Sequence, residues 1–305
     1  MATLAPFSLP GRFLRGNLHT HSDRSDGKLS PEQVIATYRD AGYDFLAITD
    51  HFLAVFEWPL VDTRSFQSER FTTLLGAELH APRTEMSDIW HIVAVGLPLD
   101  FAPAGPDEDG PALARRARAA GAFIGIAHPA WYSLSITDAE TLDAAHAVEI
   151  YNHGCHLMHD KGEGGYLLDG MLDKGHRLST YACDDAHFKC PDFGGGWIEL
   201  KANANEPETI LNALKDGHFY STQGPRIDEI AIAADAVEVV CSAAKGVLVA
   251  GQGYLSAYHF GTGLTRVSLP LESLAESPWL RVVIFGEDGK RAWSNPIWKD
   301  NLVKA

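Results

Sequence analysis

The chain has 305 residues, of which 46% are hydrophobic and 21% charged, and its formal net charge is −15. These values are ordinary for a globular protein with a substantial core, and no apolar run approaches the roughly 20 residues that a membrane-spanning helix needs. The acidic balance argues against a protein that tracks nucleic-acid backbone nonspecifically, because the phosphates would be repelled.

The cysteines and the first residues indicate a reducing compartment. Four cysteines are present, and they form neither a CxxC pair nor a disulfide-like framework: Cys155, Cys183, Cys190 and Cys241. They are expected to be reduced thiols. The opening MATLAPFSLPGRFLRG lacks the apolar segment of a secretory signal. We therefore expect a cytoplasmic protein.

The first predicted helix has clear start and stop signals. Ser30 is suited to the N-cap, Pro31 to the first turn, and Gln33 to closing a capping box. Apolar residues follow at helical spacing until Gly42, which is a natural stop. A short buried strand at 45–49 comes next and ends at Asp50-His51.

The same rhythm of helices and strands continues along the chain. The predicted elements are a helix at 111–120, strands at 123–127, 147–151 and 178–183, and a helix at 207–216. Alternation of this kind indicates an α/β protein with a mainly parallel sheet. Polar residues cluster just after the strands, as at the mouth of a (β/α) barrel. No GxGxxG turn follows a first strand, so a barrel is favoured over a Rossmann fold.

The pattern changes after Gly224-Pro225. Short runs that alternate apolar and small polar residues predict strands, and Glu287-Asp288-Gly289-Lys290 is a candidate hairpin turn. We interpret residues 226–305 as a small C-terminal all-β sandwich packed on a domain that spans 14–225. The sandwich has no dense cluster of ionisable groups, and we assign it no chemistry.

Candidate metal ligands begin with His19-Thr20-His21. Residues two apart on a strand face the same side, so both imidazoles can reach one ion. Alone, the motif would more often be two surface or packing histidines. Further histidines and acids at predicted strand ends or in adjacent loops change that balance, and the full set is His19, His21, Asp26, His51, Glu78, His91, His128, Asp185 and His187. Nine nitrogen and oxygen ligands without sulfur suit two or three ions of Zn, Mn or Fe.

These motifs resemble the PHP (polymerase and histidinol phosphatase) superfamily. The ordered series is His19-Thr20-His21, Ser25-Asp26-Gly27, Thr49-Asp50-His51, Gly76-Ala77-Glu78, Trp90-His91, Ala127-His128-Pro129 and Asp185-Ala186-His187. Downstream segments, among them Thr222-Gln223-Gly224-Pro225 and Trp293-Ser294-Asn295-Pro296, resemble its carbaryl-hydrolase-like (CehA/McbA) branch. The resemblance implies a distorted (β/α)7 TIM-like barrel, an added C-terminal β domain and a hydrolytic site with two or three metal ions.

The resemblance also implies a role for each ligand. His19, His21, Glu78 and Asp185 would hold a first ion. Glu78 would bridge to a second ion, which His91 and His128 complete. Asp26, His51 and His187 would hold a third. A metal-bridging hydroxide held by Glu78 and Asp185 would be the nucleophile, and the chain shows no departure from the pattern at these nine positions.

Other polar residues have weaker support. Asp50 and Asp184, each beside a predicted ligand, are expected to orient ligands rather than to bind metal. Glu149 and His153 are candidates for substrate binding, with a pocket wall and a solvated loop as their alternatives. Arg177 and Arg226 are candidate anion clamps, although most arginines are solvated or in ordinary ion pairs. His80 has no supporting context, so we treat it as structural.

The expected function is metal-dependent hydrolysis, most simply by a phosphoesterase that acts on a small mono- or diester. A carbamate or carboxylic ester hydrolase with the same metal site is the alternative, and a non-catalytic metal-binding PHP module is another. A polymerase-associated nuclease is disfavoured, because the chain is acidic and has no polymerase-sized extension. We expect a small-molecule substrate and neither a membrane nor a stable nucleic-acid complex as partner; the sequence leaves the oligomeric state open.

Overall fold

The computed structural model describes residues 2–233 and 235–302. The protein is mixed α/β, with a seventeen-stranded sheet and seven α-helices in these residues. The helices are α1 (Pro31–Asp40), α2 (Gly110–Ala119), α3 (Ile136–Thr141), α4 (His153–His159), α5 (Gly165–Asp173), α6 (Pro207–Lys215) and α7 (Lys299–Leu302). None of these helices has the length and apolar character that crossing a bilayer requires, as far as the described residues go.

Eleven strands of the described residues come before residue 226. They are β1 (Ala2–Thr3), β2 (Arg12–Asn17), β3 (Phe45–Ile48), β4 (His51–Phe52), β5 (Thr72–Leu79), β6 (Ile92–Val95), β7 (Phe123–Ile126), β8 (Ala147–Asn152), β9 (Ser179–Cys183), β10 (Trp197–Ala202) and β11 (Phe219–Thr222). The predicted helices and strands of this part are confirmed to within about two residues at their ends. Helix α1 has the predicted capping box between Ser30 and Gln33.

The sheet is less parallel than the sequence predicts. Strands β2, β3 and β5 are parallel neighbours, and so are β7, β8 and β9. Strand β6, however, is antiparallel to both β5 and β7. The connection from β5 to β6 carries no helix that would cross over the sheet, and a short connection of this kind returns the chain antiparallel.

A closed barrel is not confirmed. One edge of β2 pairs with β3, and its other edge is occupied by β10, which runs antiparallel to it. Both edges of β2 are thus occupied, and β9 forms no ladder with it in the described residues. The segments that follow β2 and β9 are joined by an isolated bridge between Thr20 and Ala186 and by a hydrogen bond from the Asp185 N–H to the His19 carbonyl. This bridge nevertheless brings the segment after β2 beside the segment after β9, which positions the site described below.

The remaining strands of the described residues pair in antiparallel fashion. They are β12 (Ile227–Ile232), β13 (Ala236–Gly251), β14 (Ser256–Pro270), β15 (Trp279–Gly286), β16 (Arg291–Ser294) and β17 (Ile297–Trp298). They enclose a core of their own, which includes Ile230, Val239 and Val282. Strand β16 also pairs with β11, so this part is hydrogen-bonded into the same sheet. Residues 234 and 303–305 of the predicted sandwich lie outside the described residues.

A buried apolar cluster supports the strands that carry the candidate ligands. It includes Leu14, Leu18, Phe45, Phe123 and Tyr181, each at most 1% exposed. Burial of side chains of this size stabilises a fold by about 2 kcal/mol each. The polar residues at the ends of these strands are therefore fixed on a rigid base.

Candidate metal centre

The nine predicted ligands meet at one edge of the sheet. His19 and His21 follow β2, His51 opens β4, and Glu78 lies in β5. His91 comes just before β6, while His128 follows β7. Asp185 and His187 follow β9, and Asp26 lies in the loop before α1. Six of the nine side chains are nearly or fully buried: His19, His21, Glu78, His91, His128 and Asp185.

Glu78 lies at the centre of this group. Its Oε1 is 2.7 Å from His91 Nδ1 and 3.2 Å from His128 Nε2. Its Oε2 is 2.6 Å from His51 Nδ1 and 3.8 Å from His19 Nε2. The two oxygens thus face different sets of imidazoles, which is the arrangement that a carboxylate bridging two ions requires.

Asp185 approaches the same imidazoles from β9. Its Oδ1 is 2.9 Å from His21 Nε2 and 3.3 Å from His19 Nε2, while its Oδ2 accepts a hydrogen bond from Asn152 Nδ2 at 3.1 Å. The Asp185 backbone has a φ of +52°, a left-handed conformation that aspartate tolerates better than most residues.

Asp26 forms the outer part of the cluster. Its Oδ1 is 3.2 Å from His187 Nε2 and 3.5 Å from His51 Nε2. Its Oδ2 accepts a hydrogen bond from Lys189 Nζ at 2.9 Å. His51 therefore faces Glu78 through one ring nitrogen and Asp26 through the other.

The donor atoms fit divalent cations. Several buried side-chain atoms of the cluster form no well-directed hydrogen bond among the described residues, although some of them lie within ion-pair distance of one another: His19 Nε2, His21 Nε2, Asp26 Oδ1, Glu78 Oε2, His128 Nδ1 and Asp185 Oδ1. Leaving such atoms unpaired costs about 1–3 kcal/mol each, whereas a bound ion would satisfy them. Ligand atoms of His19, His21 and Asp185 lie within 4.8 Å of one another, as do those of His21, Asp26, His51 and His187.

A third such group joins His19, Glu78 and His128. His91 lies outside these groups but contacts the Glu78 carboxylate directly. The structure thus brings all nine predicted ligands into one cluster. Which residues share which ion, and how many ions bind, remain predictions.

Electrostatics keep the central carboxylates ionised. Burial alone would raise the pKa of Glu78, but His51 and His91 outweigh it and hold that pKa well below its usual range. The pKa of Asp185 is also held well below its usual range, because burial raises it less than His19 and His21 lower it. Burial, with His187 and His51 nearby, lowers the pKa of His21 to about 3. Burial would lower the pKa of His19, His51 and His187, but the neighbouring carboxylates outweigh it and raise all three, that of His187 to about 9. The centre therefore holds anionic oxygens beside protonated imidazoles, and an ion that binds would take the place of those protons.

Hydrogen bonds at Nδ1 fix the orientation of three imidazoles of the site. His19 Nδ1 lies 3.1 Å from a Glu149 carboxylate oxygen, and His187 Nδ1 lies 2.9 Å from the Asp185 carbonyl. His80 Nδ1 lies 2.9 Å from the carbonyl of Trp90. Since these oxygens only accept, each Nδ1 carries a proton, and Nε2 is the ring nitrogen that faces the cluster and could bind an ion. Burial lowers the pKa of His80 to about 3, so its Nε2 is an acceptor.

His80 is the residue that the sequence interpretation missed. It is 4% exposed, and its Nε2 lies 2.9 Å from His51 Nδ1 and 3.7 Å from Glu78 Oε2. Ligand atoms of His51, Glu78 and His80 form a further group within 4.8 Å. The signal was available, because His80 is two residues after Glu78 and thus faces the same side of the extended chain.

The neighbouring acids support ligands or loops. Asp50 accepts hydrogen bonds from the hydroxyls of Ser22 and Ser25, and Ser25 Oγ lies 3.5 Å from His21 Nδ1. The Asp184 carboxylate accepts hydrogen bonds from the Tyr38 hydroxyl and from the backbone N–H groups of residues 194–196. It therefore anchors a glycine-rich loop. Neither carboxylate is in the groups of ligand atoms.

The four candidate substrate-binding residues are not on the cavity wall. Glu149 is fully buried behind His19, and it also accepts the backbone N–H of His128 at 2.6 Å. His153 is bound to the Tyr151 hydroxyl. Arg177 pairs with Asp300 and lies over the Trp298 ring, and Arg226 pairs with Asp228. The two arginines are thus paired away from the cluster, and a role of the four residues in substrate binding stays a prediction.

A cavity of about 690 Å³ opens directly onto the cluster. Predicted ligands form its floor, including His51, His91, His128 and Asp185. Its walls carry apolar side chains, which are Leu53, Phe56, Ile89, Trp131 and Met158. This volume lies within the range that small-molecule sites usually have.

Comparison with solved structures shows a similarity of fold. A two-domain protein from Bacteroides vulgatus that contains a predicted PHP-like metal-dependent phosphoesterase superposes with a TM-score of 0.54. The sequences are 15% identical, and the match covers 95% of this chain and 98% of that one. The two proteins share a fold. At this identity the similarity does not by itself extend to activity.

Two other similarities are weaker. A protein from Bifidobacterium adolescentis, described as a candidate metal-dependent phosphoesterase, gives a TM-score of 0.41 at 14% identity, over 56% of this chain and 87% of that one. An amidohydrolase from Chromobacterium violaceum was solved with bound sulfate and no metal. It gives a TM-score of 0.44 at 16% sequence identity, and the match covers 56% of this chain and 87% of that one. Scores of this size do not establish a shared fold. No family model and no curated protein sequence matches the chain.

Proposed function

We propose that the protein is a multinuclear metal-dependent hydrolase of the PHP superfamily, acting on a small phosphate mono- or diester. One observation supports this most strongly: buried imidazole nitrogens and carboxylate oxygens converge at the floor of an open cavity, where they face one another within ion-pair distance. A structural metal site has no need of such an opening, whereas a catalytic site must admit substrate.

In this proposal the chain's own residues hold and orient two or three ions of Zn, Mn or Fe. Glu78 lies between the two groups that would hold neighbouring ions, and Asp185 closes the first of them. Glu149 fixes His19, and the Trp90 carbonyl fixes His80. When bound, such ions lower the pKa of water toward about 7 and neutralise charge on substrate oxygens.

The finer classification rests on the sequence motifs. We propose membership of the CehA/McbA-like branch and a barrel derived from the (β/α)7 form, opened between β9 and β2. We also propose a division into a metallohydrolase domain at 14–225 and a β-sandwich domain at 226–305. The four cysteines are unpaired in the structure, which supports a reducing compartment such as the cytoplasm.

A carbamate or carboxylic ester is the second candidate substrate. The apolar cavity walls favour it, because an uncharged aryl ester needs no cationic clamp, and no arginine of the described residues lines the cavity. A non-catalytic metal-binding module is disfavoured, since such a module would not be expected to keep all nine ligands together.

A small panel tests the proposal. The protein is loaded with Mn²⁺ or Zn²⁺ and assayed on p-nitrophenyl phosphate, bis(p-nitrophenyl) phosphate and an aryl carbamate. We expect metal-dependent turnover of at least one phosphate ester, abolished by chelation. Turnover of the carbamate alone would replace the phosphoesterase proposal with the second candidate. Full metal occupancy without turnover of any of the three would favour the non-catalytic module.

A further inference from the structure

A second cavity lies at the end of the strands that is remote from the candidate ligands. Its volume is about 420 Å³. His146, just before β8, and Ser179, the first residue of β9, lie on its wall. The candidate ligand Asp185 follows the other end of β9, and among the described residues this cavity shares no lining residue with the one that opens onto the cluster. It is therefore a separate place in the fold.

Two basic side chains of this cavity have no acidic partner. Arg118, in the last turn of α2, donates one hydrogen bond to the Ala144 carbonyl at 3.1 Å and forms no ion pair within residues 2–233 and 235–302. Lys215 ends α6 and likewise forms no ion pair in the described part of the chain. A guanidinium has five N–H donors and an ammonium three, so most of these donors remain available. Acids outnumber bases by 40 to 25 in the chain, so composition does not explain unpaired bases that share one cavity.

His146 adds an uncharged donor beside these bases. Its Nδ1 accepts the backbone N–H of Ile124 at 3.0 Å, so the neutral ring carries its proton on Nε2, which has no hydrogen-bond partner among the described residues. The ring stacks on Phe123 at 5.4 Å between centroids, which fixes its plane. Burial, together with the nearby Arg118 and Lys215, lowers the pKa of His146 to about 4. The ring is thus neutral at pH 7, and both cations are close enough to disfavour a further positive charge on it.

The carboxylates of the cavity do not cancel its positive charge. Asp143 is bound at 3.0 Å by Arg115, which is not on the cavity wall. Arg177, a third base on the wall, is already paired with Asp300. Asp216 is exposed and forms no ion pair among the described residues, so it offsets one of the two unpaired cations. One positive charge therefore remains uncompensated at this cavity.

We infer that this cavity binds a tetrahedral oxyanion, phosphate or sulfate, between Arg118, Lys215 and the Nε2–H of His146. Such an anion has several acceptor oxygens, and charge-assisted hydrogen bonds to it are stronger than bonds between neutral groups. The guanidinium and the ammonium supply the charge, while the imidazole N–H adds a directional donor. The site uses none of the candidate metal ligands, so it does not depend on the proposed function.

Calorimetric titration of the metal-free protein tests the inference, because phosphate then has no metal ion to bind at the cluster. Phosphate, sulfate and acetate are titrated separately at pH 7 and low ionic strength. We expect one phosphate or sulfate ion to bind per chain, with a Kd of about 1 mM or lower. Acetate has a single charge and two oxygens, so it should bind at least about tenfold more weakly.

Variants and a local probe assign the site. Arg118→Gln and Lys215→Gln should each weaken phosphate binding by about tenfold or more, whereas Lys215→Arg keeps the charge and should stay within about threefold of wild type. Arg70→Gln is the matched control, because this arginine is exposed and does not line the cavity. In NMR spectra, phosphate should shift the ring resonances of His146 but not those of His259, an exposed histidine on β14. This last measurement needs no variant.

Three results would overturn the inference. The first is no binding of phosphate to the metal-free wild type up to about 10 mM. The second is an affinity for phosphate that both glutamine variants leave unchanged while circular dichroism shows them to be folded. The third is binding that leaves the His146 resonances unmoved, since the anion would then lie elsewhere. None of these results bears on hydrolysis, which the ester panel tests separately.

Discussion

Glu78 is the residue on which the candidate centre depends most. It contacts imidazoles from three different segments through two oxygens, and it is fully buried. A buried carboxylate in such a position is stable only because positive charge, from imidazolium groups or from metal ions, compensates it. Removing its charge should therefore affect ion binding more than folding.

We expect Glu78→Gln to lose most of its bound metal and at least about 100-fold of any hydrolytic rate, because a neutral amide is a poor bridging ligand. Metal content by mass spectrometry, measured with the rate, checks this. Glu199→Gln is the control. Glu199 is also largely buried, in β10, but it pairs with Trp197 and Arg15 away from the site. A variant at Glu78 that keeps full metal content would contradict the assignment.

His80 supports the site through His51. Its Nε2 is fixed as an acceptor by the bond from Nδ1 to the Trp90 carbonyl, and it lies 2.9 Å from His51 Nδ1. We expect His80→Ala to weaken the affinity for one ion by about 10- to 100-fold, the usual cost of losing a residue that orients a ligand. His80→Gln keeps a hydrogen-bond acceptor at this position, so it should retain part of the affinity that His80→Ala loses.

Metal titration with a competing chelator measures this effect. His176→Ala serves as the control, since His176 pairs with Glu140 at the surface. Unchanged affinity for every ion in His80→Ala would show that His80 only fills space.

At the level of elements, the sequence predicted the strands and the polar residues that follow them. Buried strands such as β3 and β7 have short apolar runs followed by His51 and His128, and that pattern is visible in the sequence. Sheet topology was not visible, because hydrogen-bonded neighbours such as β10 and β2 are some 180 residues apart. Strand β10 occupies the edge of β2 that β9 would need in order to close the sheet. No pattern of neighbouring residues in the sequence predicts that pairing.

Residues that act through others were equally hard to predict. Glu149 was a candidate for the cavity wall, yet it lies behind His19, because β8 turns its side chain toward the ligand rather than toward solvent. Arg177 and Arg226 resembled anion clamps, but their partners Asp300 and Asp228 neutralise them locally. The sequence shows which residues are charged, but it does not show which opposite charge will lie beside each of them in the folded chain.

His146 links β7 to β8 and should make folding stability depend on pH. Its Nδ1 accepts the backbone N–H of Ile124 at 3.0 Å, so the ring must stay neutral at that atom. Burial, with Arg118 and Lys215 nearby, lowers its pKa to about 4. The unfolded chain therefore binds the extra proton at higher pH than the folded one, and stability is lost as the pH falls from about 6.5 toward 4.

We compare metal-free wild type with His146→Asn, which keeps an acceptor but does not titrate. Between pH 7.5 and pH 5 the wild type should lose about 1 kcal/mol more unfolding free energy than the variant, after allowance for partial exposure. Urea denaturation at the two pH values measures the difference. Equal losses in both proteins would mean that the histidine titrates normally in the folded state.

At the scale of the whole molecule, Asn295 ties the C-terminal strands to the part that carries the site. It lies between β16 and β17, and its Oδ1 accepts the backbone N–H of Thr180 in β9 at 2.7 Å. Its Nδ2 donates to the carbonyls of Gly217 and Phe219 at 2.8 and 2.9 Å. One side chain thus satisfies three backbone groups, and β9 continues directly into Asp185.

Asn295→Ala should lower the free energy of unfolding by about 3 kcal/mol, because it leaves the buried Thr180 N–H and two carbonyls without their partner. Urea denaturation followed by circular dichroism measures this, with the exposed Asn203→Ala expected to stay within about 0.5 kcal/mol of wild type. Since β9 positions Asp185, weaker metal binding should accompany the loss of stability. A stable variant with normal metal affinity would show that the C-terminal strands and the metal centre are energetically independent.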